Sequence, residues 1–241
     1  MENNIRKIIL ADCQKQELIV DFSEGFDGLE INVGKGANLA LNLINFGESR
    51  NGKIVAKVEE NAELFATMAD FSNGNSRFNV AINLVGSNAR GTWRLSTLAS
   101  NQDDKKYAVH FHHLAQSTYG LMDNYGVARN SSRLAFSGAN EIARGAKKSK
   151  TKQNAKIIVF DEGAVAKADP RLNIDENEVE ASHAAVVGKL SDDHLFYLMS
   201  RGLNLNQAKK LITYGYLLPI ANYFHDEAMK EKIAKIIEER V

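Results

Sequence analysis

The sequence has one cysteine, Cys13, two prolines, Pro170 and Pro219, and no apolar run long enough to cross a bilayer. A single cysteine cannot form an internal disulfide, which fits a reducing compartment. The first residues lack the apolar core of a secretion signal, so we expect a cytoplasmic protein. Thirty basic residues balance thirty acidic ones, so no overall field would attract nucleic acid or an anionic membrane.

The shortage of proline suits long hydrogen-bonded ladders of strands, which proline would interrupt. Asparagine is frequent, and it tolerates left-handed backbone at tight corners and can stack along a coil. These two features indicate many short strands joined by sharp turns.

Apolar residues alternate with polar ones over most of the chain, up to about residue 187. In one such stretch Ile54, Ala56 and Val58 share a face. Similar alternation occurs at residues 29–33, 78–84 and 90–96. Turn clusters fall at residues 34–36, 51–52, 72–75 and 86–88. The pattern predicts an all-β region but shows no repeat of fixed period, so sandwich, propeller and solenoid all stay open.

After residue 190 the apolar spacing becomes helical. Ser191 can cap a first helix, and Asn204 with Gln207 forms the capping box of a second. That second helix places Leu205, Ala208, Leu211 and Ile212 on one face, and Pro219 should end or kink it. A last helix carries Met229, Ile233, Ile236 and Ile237 on one face. This segment could either cap the β region or bind a partner.

The decisive residues lie between 170 and 202. They read P-R-L-N-I at 170–174, V-E-A-S-H-A-A at 179–185 and L-F-Y-L-M-S-R-G at 195–202. These segments resemble the C-terminal signature of the SufB/SufD family of iron–sulfur cluster assembly proteins, and the SufD type fits better. His113, Phe136 and Gly138 fall where the family pattern H…F-x-G is expected. The resemblance is dense over residues 105–241 and faint over residues 1–104.

The resemblance implies a right-handed parallel β-helix at residues 1–188 and a small helical domain at residues 189–241. It also implies a non-catalytic scaffold subunit of a SufBCD-like complex. The β-helix would pair with a SufB-type or identical subunit, and the C-terminal helices would dock a SufC-type ABC ATPase. The residues expected to bind this ATPase are Leu195, Phe196, Tyr197, Arg201, Leu211 and Ile212.

His183 is the residue that the resemblance connects to the cluster. In the family a histidine here lies at the subunit interface, and neutral imidazole can replace thiolate as an iron ligand. The alternative is a packed histidine at the junction of strands and helices. Glu180 is a weaker candidate for an oxygen ligand and could simply be solvated. Ala181 stands where some SufD proteins have cysteine, so we expect a transient cluster shared with a partner and none on the isolated chain.

Other candidate residues favour structural explanations. On a strand, His110 and His112 share a face that His113 does not, so the three cannot converge on one metal. Cys13, which we expect in an N-terminal strand, has no activating neighbour in the sequence. The basic run at residues 144–152 has no interleaved aromatic residues and fits a solvated turn better than a nucleic-acid site.

The chain lacks the Walker A, G-x-S-x-G and H-E-x-x-H motifs, so ATP hydrolysis would belong to a partner. Two rival functions remain open. One is a β-helix enzyme acting on carbohydrate, and the other is a homo-oligomeric interaction protein without cluster chemistry.

Overall fold

The computed structural model describes residues 4–240, in which fourteen strands precede three α-helices. The strands are β1 (Ile5–Leu10), β2 (Lys15–Asp21), β3 (Gly28–Val33), β4 (Asn38–Asn45), β5 (Arg50–Val58), β6 (Glu63–Asp70), β7 (Ser76–Leu84), β8 (Arg90–Ala99), β9 (Asp104–His113), β10 (Tyr119–Ala128), β11 (Arg133–Ile142), β12 (Lys150–Val159), β13 (Val165–Ile174) and β14 (Glu180–Lys189). The helices are α1 (Asp192–Ser200), α2 (Leu205–Leu217) and α3 (Glu227–Arg240), with short 3-10 helices at Phe22–Glu24 and Leu218–Tyr223. None of the helices in this part of the chain has the length and apolarity to span a bilayer.

The strands form two parallel sheets that wind together. Sheet A contains the odd-numbered strands in the order β1 to β13, and sheet B contains the even-numbered strands in the order β2 to β14. Each inner strand therefore pairs with the strands one turn before and one turn after it. The result is a parallel β-solenoid of about six turns, followed by three C-terminal helices. The predicted β-helix with a helical C-terminus is confirmed.

The turns of the solenoid lengthen along the chain. Register partners in sheet B are 23 residues apart between Lys15 and Asn38 and 25 between Asn38 and Glu63. The spacing reaches 31 residues between Tyr119 and Lys150. A structural repeat is thus present, but because its period grows steadily, no fixed period appears in the sequence.

A corner between the two sheets uses left-handed backbone at each of six successive turns. The residues with positive φ at this corner are Cys13, Gly36, Asn61, Asn88, Ser117 and Lys148. The backbone N–H of each donates to a carbonyl one turn further on, as between Asn61 and Ser87 at 3.0 Å. Asn88 Nδ2 also donates to Asn61 Oδ1 at 3.0 Å, which confirms the predicted stacking of asparagines. Cys13 lies in this corner and not in a strand, so its predicted position is wrong.

An aromatic ladder runs along the inside of sheet A. Phe78, Tyr107 and Phe136 are register partners whose ring centroids lie 6.0 Å and 5.8 Å apart. Gly52 in β5 precedes Phe78 in this row, and a Cβ there would lie 2.5 Å from the Phe78 ring. The turn predicted at residues 51–52 is therefore wrong, because this glycine makes room for an aromatic ring inside a strand.

The ends of the helices follow the sequence signals closely. Asn204 and Gln207 form the predicted capping box, with both side chain to backbone bonds at 2.9 Å. α2 ends at Leu217, and Pro219 lies in the 3-10 helix that follows. Ser191 occupies the N-cap position of α1, but its side chain makes no capping hydrogen bond.

The C-terminal segment packs against the outer face of sheet B. Their shared apolar cluster contains Ile44, Ala69, Phe71, Leu98 and Val127 from the solenoid and Leu217, Ile220, Ala221, Phe224, Ile233 and Ile237 from the C-terminal segment. The apolar face predicted for α3 is confirmed, and this part of the tail caps the β region. The division into domains at residue 188 stays a prediction, because the two parts share this cluster.

The apolar face predicted for α2 is mostly wrong. Ala208 is buried, but Leu205 and Leu211 are exposed, and the helix buries Thr213 and Leu217 instead. Apolar residues occur on more than one side of α2, so periodicity alone could not identify the side that meets the sheet.

A buried ion pair joins β6 to β9. Lys105 Nζ donates to Asp70 Oδ1 at 3.2 Å and to the Ser72 carbonyl at 2.9 Å, and both charged side chains are fully buried. The Tyr107 hydroxyl donates to the second Asp70 oxygen at 2.7 Å. Burial opposes ionisation of Asp70, but the Lys105 charge and the hydrogen bonds from Ser72 and Tyr107 hold its pKa below the usual value.

Arg240 connects α3 to the same corner of the solenoid. Its guanidinium donates to the carbonyls of Phe71 and Ser72, and Nη2 lies 3.2 Å from Ser100 Oγ and 3.6 Å from Asp103 Oδ2. A cation in the last turn also opposes the negative end of the helix dipole. The C-terminal helix is therefore held by polar contacts as well as by apolar packing.

His113 is buried at the end of β9, while His110 and His112 point to the outer face of sheet A, as predicted. Its Nδ1 lies 2.8 Å from Thr118 Oγ1, and its Nε2 has no hydrogen-bond partner within residues 4–240. Burial, with a smaller contribution from His112, lowers the pKa of His113 to about 4.

We expect Lys105→Met to lower the free energy of unfolding by about 3–5 kcal/mol, because it leaves the Asp70 carboxylate buried without its counter-charge. Lys35→Met is the matched control, since Lys35 pairs with Glu60 on the surface and should contribute less than about 1 kcal/mol. Urea unfolding at pH 7 measures both variants. Equal effects of the two substitutions would contradict the importance of the buried pair.

We also expect His113 to make the protein less stable as the pH falls from 6.5 to about 4. In this range the unfolded chain binds a proton on His113 and the folded protein does not, which costs up to about 3 kcal/mol of stability. His113→Gln should remove this part of the pH dependence of urea unfolding, whereas His110→Gln should keep it. Parallel pH profiles for wild type and His113→Gln would show that the prediction is wrong.

Candidate functional site

The last turn of the solenoid is open. β13 pairs only with β11 and β14 pairs only with β12, so each has a free edge within the described residues. Apolar side chains are exposed on these strands at Val165, Ile174, Val186 and Val187. Pro170 lies in β13, where a missing N–H is tolerated because the strand is at an edge. A free apolar edge of this kind is a template for pairing with another chain.

His183 lies in the middle of this open end. It is the register partner of Gln153, which is buried inside the solenoid, so His183 projects on the interior side of β14. His183 is nevertheless exposed, because no further turn covers it. Ala181 lies two residues away on the same face, so a cysteine at that position would point the same way.

Glu180 lies on the opposite face of β14. Its Oε1 is 2.7 Å from Lys150 Nζ, and both side chains are exposed. Residues three apart on a strand point to opposite sides. The structure therefore does not bring Glu180 and His183 together, and Glu180 has a cation partner of its own.

A layer of buried amides lies directly beneath the open end. Gln153 Oε1 has no hydrogen-bond partner, and neither amide atom of Asn140 has one, among the residues that the structure describes. Asn140 is the register partner of Leu172 in the last turn, as Gln153 is of His183. An unpaired buried amide costs about 1–3 kcal/mol. Sequence reasoning missed both residues, because an amide inside a strand looks like any other polar position.

Gly138 explains how Gln153 fits inside the solenoid. A Cβ at residue 138 would lie 1.8 Å from Gln153 Nε2, so only glycine leaves space for this amide. Phe136 is buried two residues earlier on the same strand. The F-x-G pattern noted in the sequence thus has a packing cause: the phenylalanine fills the core and the glycine admits the glutamine.

The remaining candidate residues are placed as structural features. No group of three or more metal-ligating side chains occurs in residues 4–240. His112 Nδ1 lies 3.0 Å from Glu141 Oε2 on the outer face of sheet A. The basic run at residues 144–152 forms a corner and the start of β12, with Lys148 in left-handed backbone, so its interpretation as a turn is confirmed.

The residues predicted to bind the ATPase form an exposed surface on α1 and α2. α1 buries none of its residues. Phe196 is 75% exposed, Tyr197 57% and Leu211 51%, and the Arg201 guanidinium lies 5.3 Å from the Tyr197 ring centre. Leu195 and Ile212 are half-buried. Large apolar side chains grouped on a surface mark an interaction site.

Known proteins agree with this architecture. Residues 7–216 match the family described as SUF system FeS cluster assembly, SufBD core domain. The chain is 31% identical over 159 residues to the iron–sulfur cluster assembly protein SufD of Bacillus subtilis, covering 66% of this chain and 36% of that protein. It is 24% identical over 194 residues to SufB of the same organism, covering 79% and 42%. SufD of Escherichia coli is 28% identical over 115 residues, covering 48% and 27%.

The alignments thus span less than half the length of each of these three relatives. The family match, by contrast, covers most of this chain, including the solenoid and α2 as far as Tyr216. The chain belongs to the SufB/SufD family of iron–sulfur cluster assembly proteins.

Proposed function

We propose that this chain is a non-catalytic, SufD-type scaffold subunit of a SufBCD-like iron–sulfur cluster assembly complex. It pairs with a SufB-type or identical subunit through the open end of the solenoid, and it docks a SufC-type ABC ATPase through its C-terminal helices. The observation that supports this best is the uncovered last turn, which combines free strand edges with an inward-facing histidine.

Pairing of two solenoids would satisfy groups that the single chain leaves free. The free edges of β13 and β14 offer backbone donors and acceptors, and the exposed valines at 165, 186 and 187 offer apolar area. Chains that expose such an edge usually protect it with charge, a bulge or a cover. A second subunit is the cover that fits an edge of this length and polarity.

The cluster is cargo in this proposal, and His183 is its candidate ligand on this chain. Clusters are usually held by several thiolates, with histidine able to replace some of them. The only cysteine, Cys13, lies at the first turn of the solenoid. The remaining ligands must therefore come from the partner, so the isolated chain should hold no stoichiometric cluster.

The ATPase surface follows from the C-terminal helices. α2 and α3 use one side to cover sheet B, while the side that carries Phe196 and Leu211 faces solvent. The SufD identity, higher than the SufB identity in Bacillus subtilis, supports the SufD assignment. Family membership also favours this function over a carbohydrate-active β-helix enzyme.

We expect His183→Ala to leave pairing and the melting temperature unchanged, within about 1 kcal/mol of stability, because an exposed side chain loses few contacts. The purified complex with a SufB-type partner should instead contain at least about half less iron and acid-labile sulfide. His110→Ala, which changes an outward histidine on sheet A, is the matched control.

A normal cluster yield combined with a lower melting temperature would show that His183 is only structural. Pairing without iron and sulfide in the wild-type complex would favour the interaction protein without cluster chemistry. Co-purification and metal analysis on the same samples separate these outcomes.

We expect Phe196→Glu and Leu211→Glu to abolish capture of the ATPase in a pull-down while leaving the fold intact, because both side chains are exposed. Point variants are preferable to deletion of the helices, which would uncover the apolar cluster on sheet B. Leu114→Glu is the control, since Leu114 is 53% exposed at a distant corner of the solenoid. Undiminished capture by both variants would place the docking surface elsewhere.

A further inference from the structure

A groove separates the outer face of sheet B from the C-terminal segment. One compartment of about 260 Å³ lies between β8, β10 and α2, and a second of about 400 Å³ lies nearer to β4 and β6. Arg94 and Tyr223 line both compartments and divide them. Ser96 Oγ donates to the Leu217 carbonyl at 3.2 Å and so fixes the spacing of the two walls. The groove is thus part of the fold and not a gap between loosely joined parts.

Arg94 carries a charge for which the groove provides no counter-ion. Its guanidinium lies 4.1 Å from the centre of the Tyr223 ring, and its Nε is buried without a hydrogen-bond partner in residues 4–240. Asp123 is the register partner of Arg94, yet the two form no ion pair in the structure described. Asp123 Oδ1 instead accepts from Asn154 Nδ2 at 2.6 Å. A guanidinium held by an aromatic ring keeps its N–H groups free for a planar anion.

The first compartment is aromatic. Tyr125 and Tyr216 meet edge to face with ring centres 5.6 Å apart, and Tyr223 closes the other side. Burial, together with Asp123 and Tyr223, raises the pKa of Tyr125, so its hydroxyl stays protonated and can donate. Rings placed in this way bind a further ring by stacking or edge contacts.

The second compartment is polar. It is lined mainly by Asn38, Asn42, Thr67, Asn222 and His225, which offer amide, hydroxyl and imidazole groups. Nothing in the solenoid requires such a set of hydrogen-bonding groups on this face. They suit the hydroxylated arm of a ligand whose ring occupies the first compartment.

We propose that this groove binds a small ligand that combines a planar aromatic ring with an anionic group. The ring lies between Tyr125 and Tyr216, the anionic group contacts Arg94, and a polar arm extends toward Asn42 and Thr67. A mononucleotide has all three parts, and an aromatic amino acid has the ring and the anion without the hydroxylated arm.

Gly215 provides a sharp test. It lines the first compartment from α2, and a Cβ added there meets no atom within 4 Å. Gly215→Leu should therefore fold normally, because a glycine inside a helix is replaced without a clash. Its side chain would occupy the space that the ring of the ligand needs. Gly47→Leu is the control, since that glycine also faces open space but lies outside both compartments.

Calorimetric titration of the full chain, with no ATPase present, would use AMP, adenosine and tryptophan as probes. We expect a dissociation constant below about 1 mM for AMP or tryptophan. Gly215→Leu should abolish binding, and Gly47→Leu should leave it unchanged. Arg94→Gln should weaken binding of the anionic probe at least about tenfold and leave adenosine unaffected.

The relative affinities of AMP and tryptophan identify which source of the ring and anion fits. Failure of both probes to bind would overturn the proposal. So would binding that survives Gly215→Leu, because the site would then lie elsewhere. Adenosine binding as tightly as AMP would remove Arg94 from the site.

Discussion

Backbone pairing between successive turns determines how this molecule is built and how it ends. In a parallel solenoid each strand bonds to the strand one turn before it and one turn after it, so every inner strand is satisfied on both edges. The same rule leaves the last turn with a free edge on β13 and on β14. A solenoid cannot remove this edge by changing its sequence. It can only cover it, and in this chain the C-terminal segment, which could have done so, covers another surface.

The C-terminal segment packs sideways onto sheet B and leaves the open end free. Phe71 and Leu98 in the shared cluster, with Arg240 on the carbonyls of Phe71 and Ser72, hold this arrangement. The buried Lys105–Asp70 pair lies at the same corner. One molecule thus presents separate surfaces for a second solenoid, for a partner of the helices and for a small ligand. Because these surfaces do not overlap, each can be altered without disturbing the other two.

Much of the fold could be predicted from the sequence because its signals are local. Period-two alternation, asparagine at corners and the capping box of Asn204 each depend on near neighbours. The errors occurred where distant contacts decide. Gly52 resembles a turn residue until Phe78 is placed beside it, and Leu211 resembles a core residue until α2 is placed on sheet B. The site was predictable only through the motif around His183, since the buried amide of Gln153 gives no signal in one sequence.

The dimensions of the solenoid also limit the chemistry that one chain can perform. Cys13 lies in the turn that precedes β2, and His183 lies in β14, six strand steps along sheet B. At about 4.8 Å per step these residues are about 29 Å apart along the axis. Iron–ligand bonds are far shorter than this separation, so Cys13 and His183 of one chain cannot hold the same cluster. Thiolates can reach His183 only from a chain that faces the open end, which makes pairing at that end a requirement for cluster assembly here.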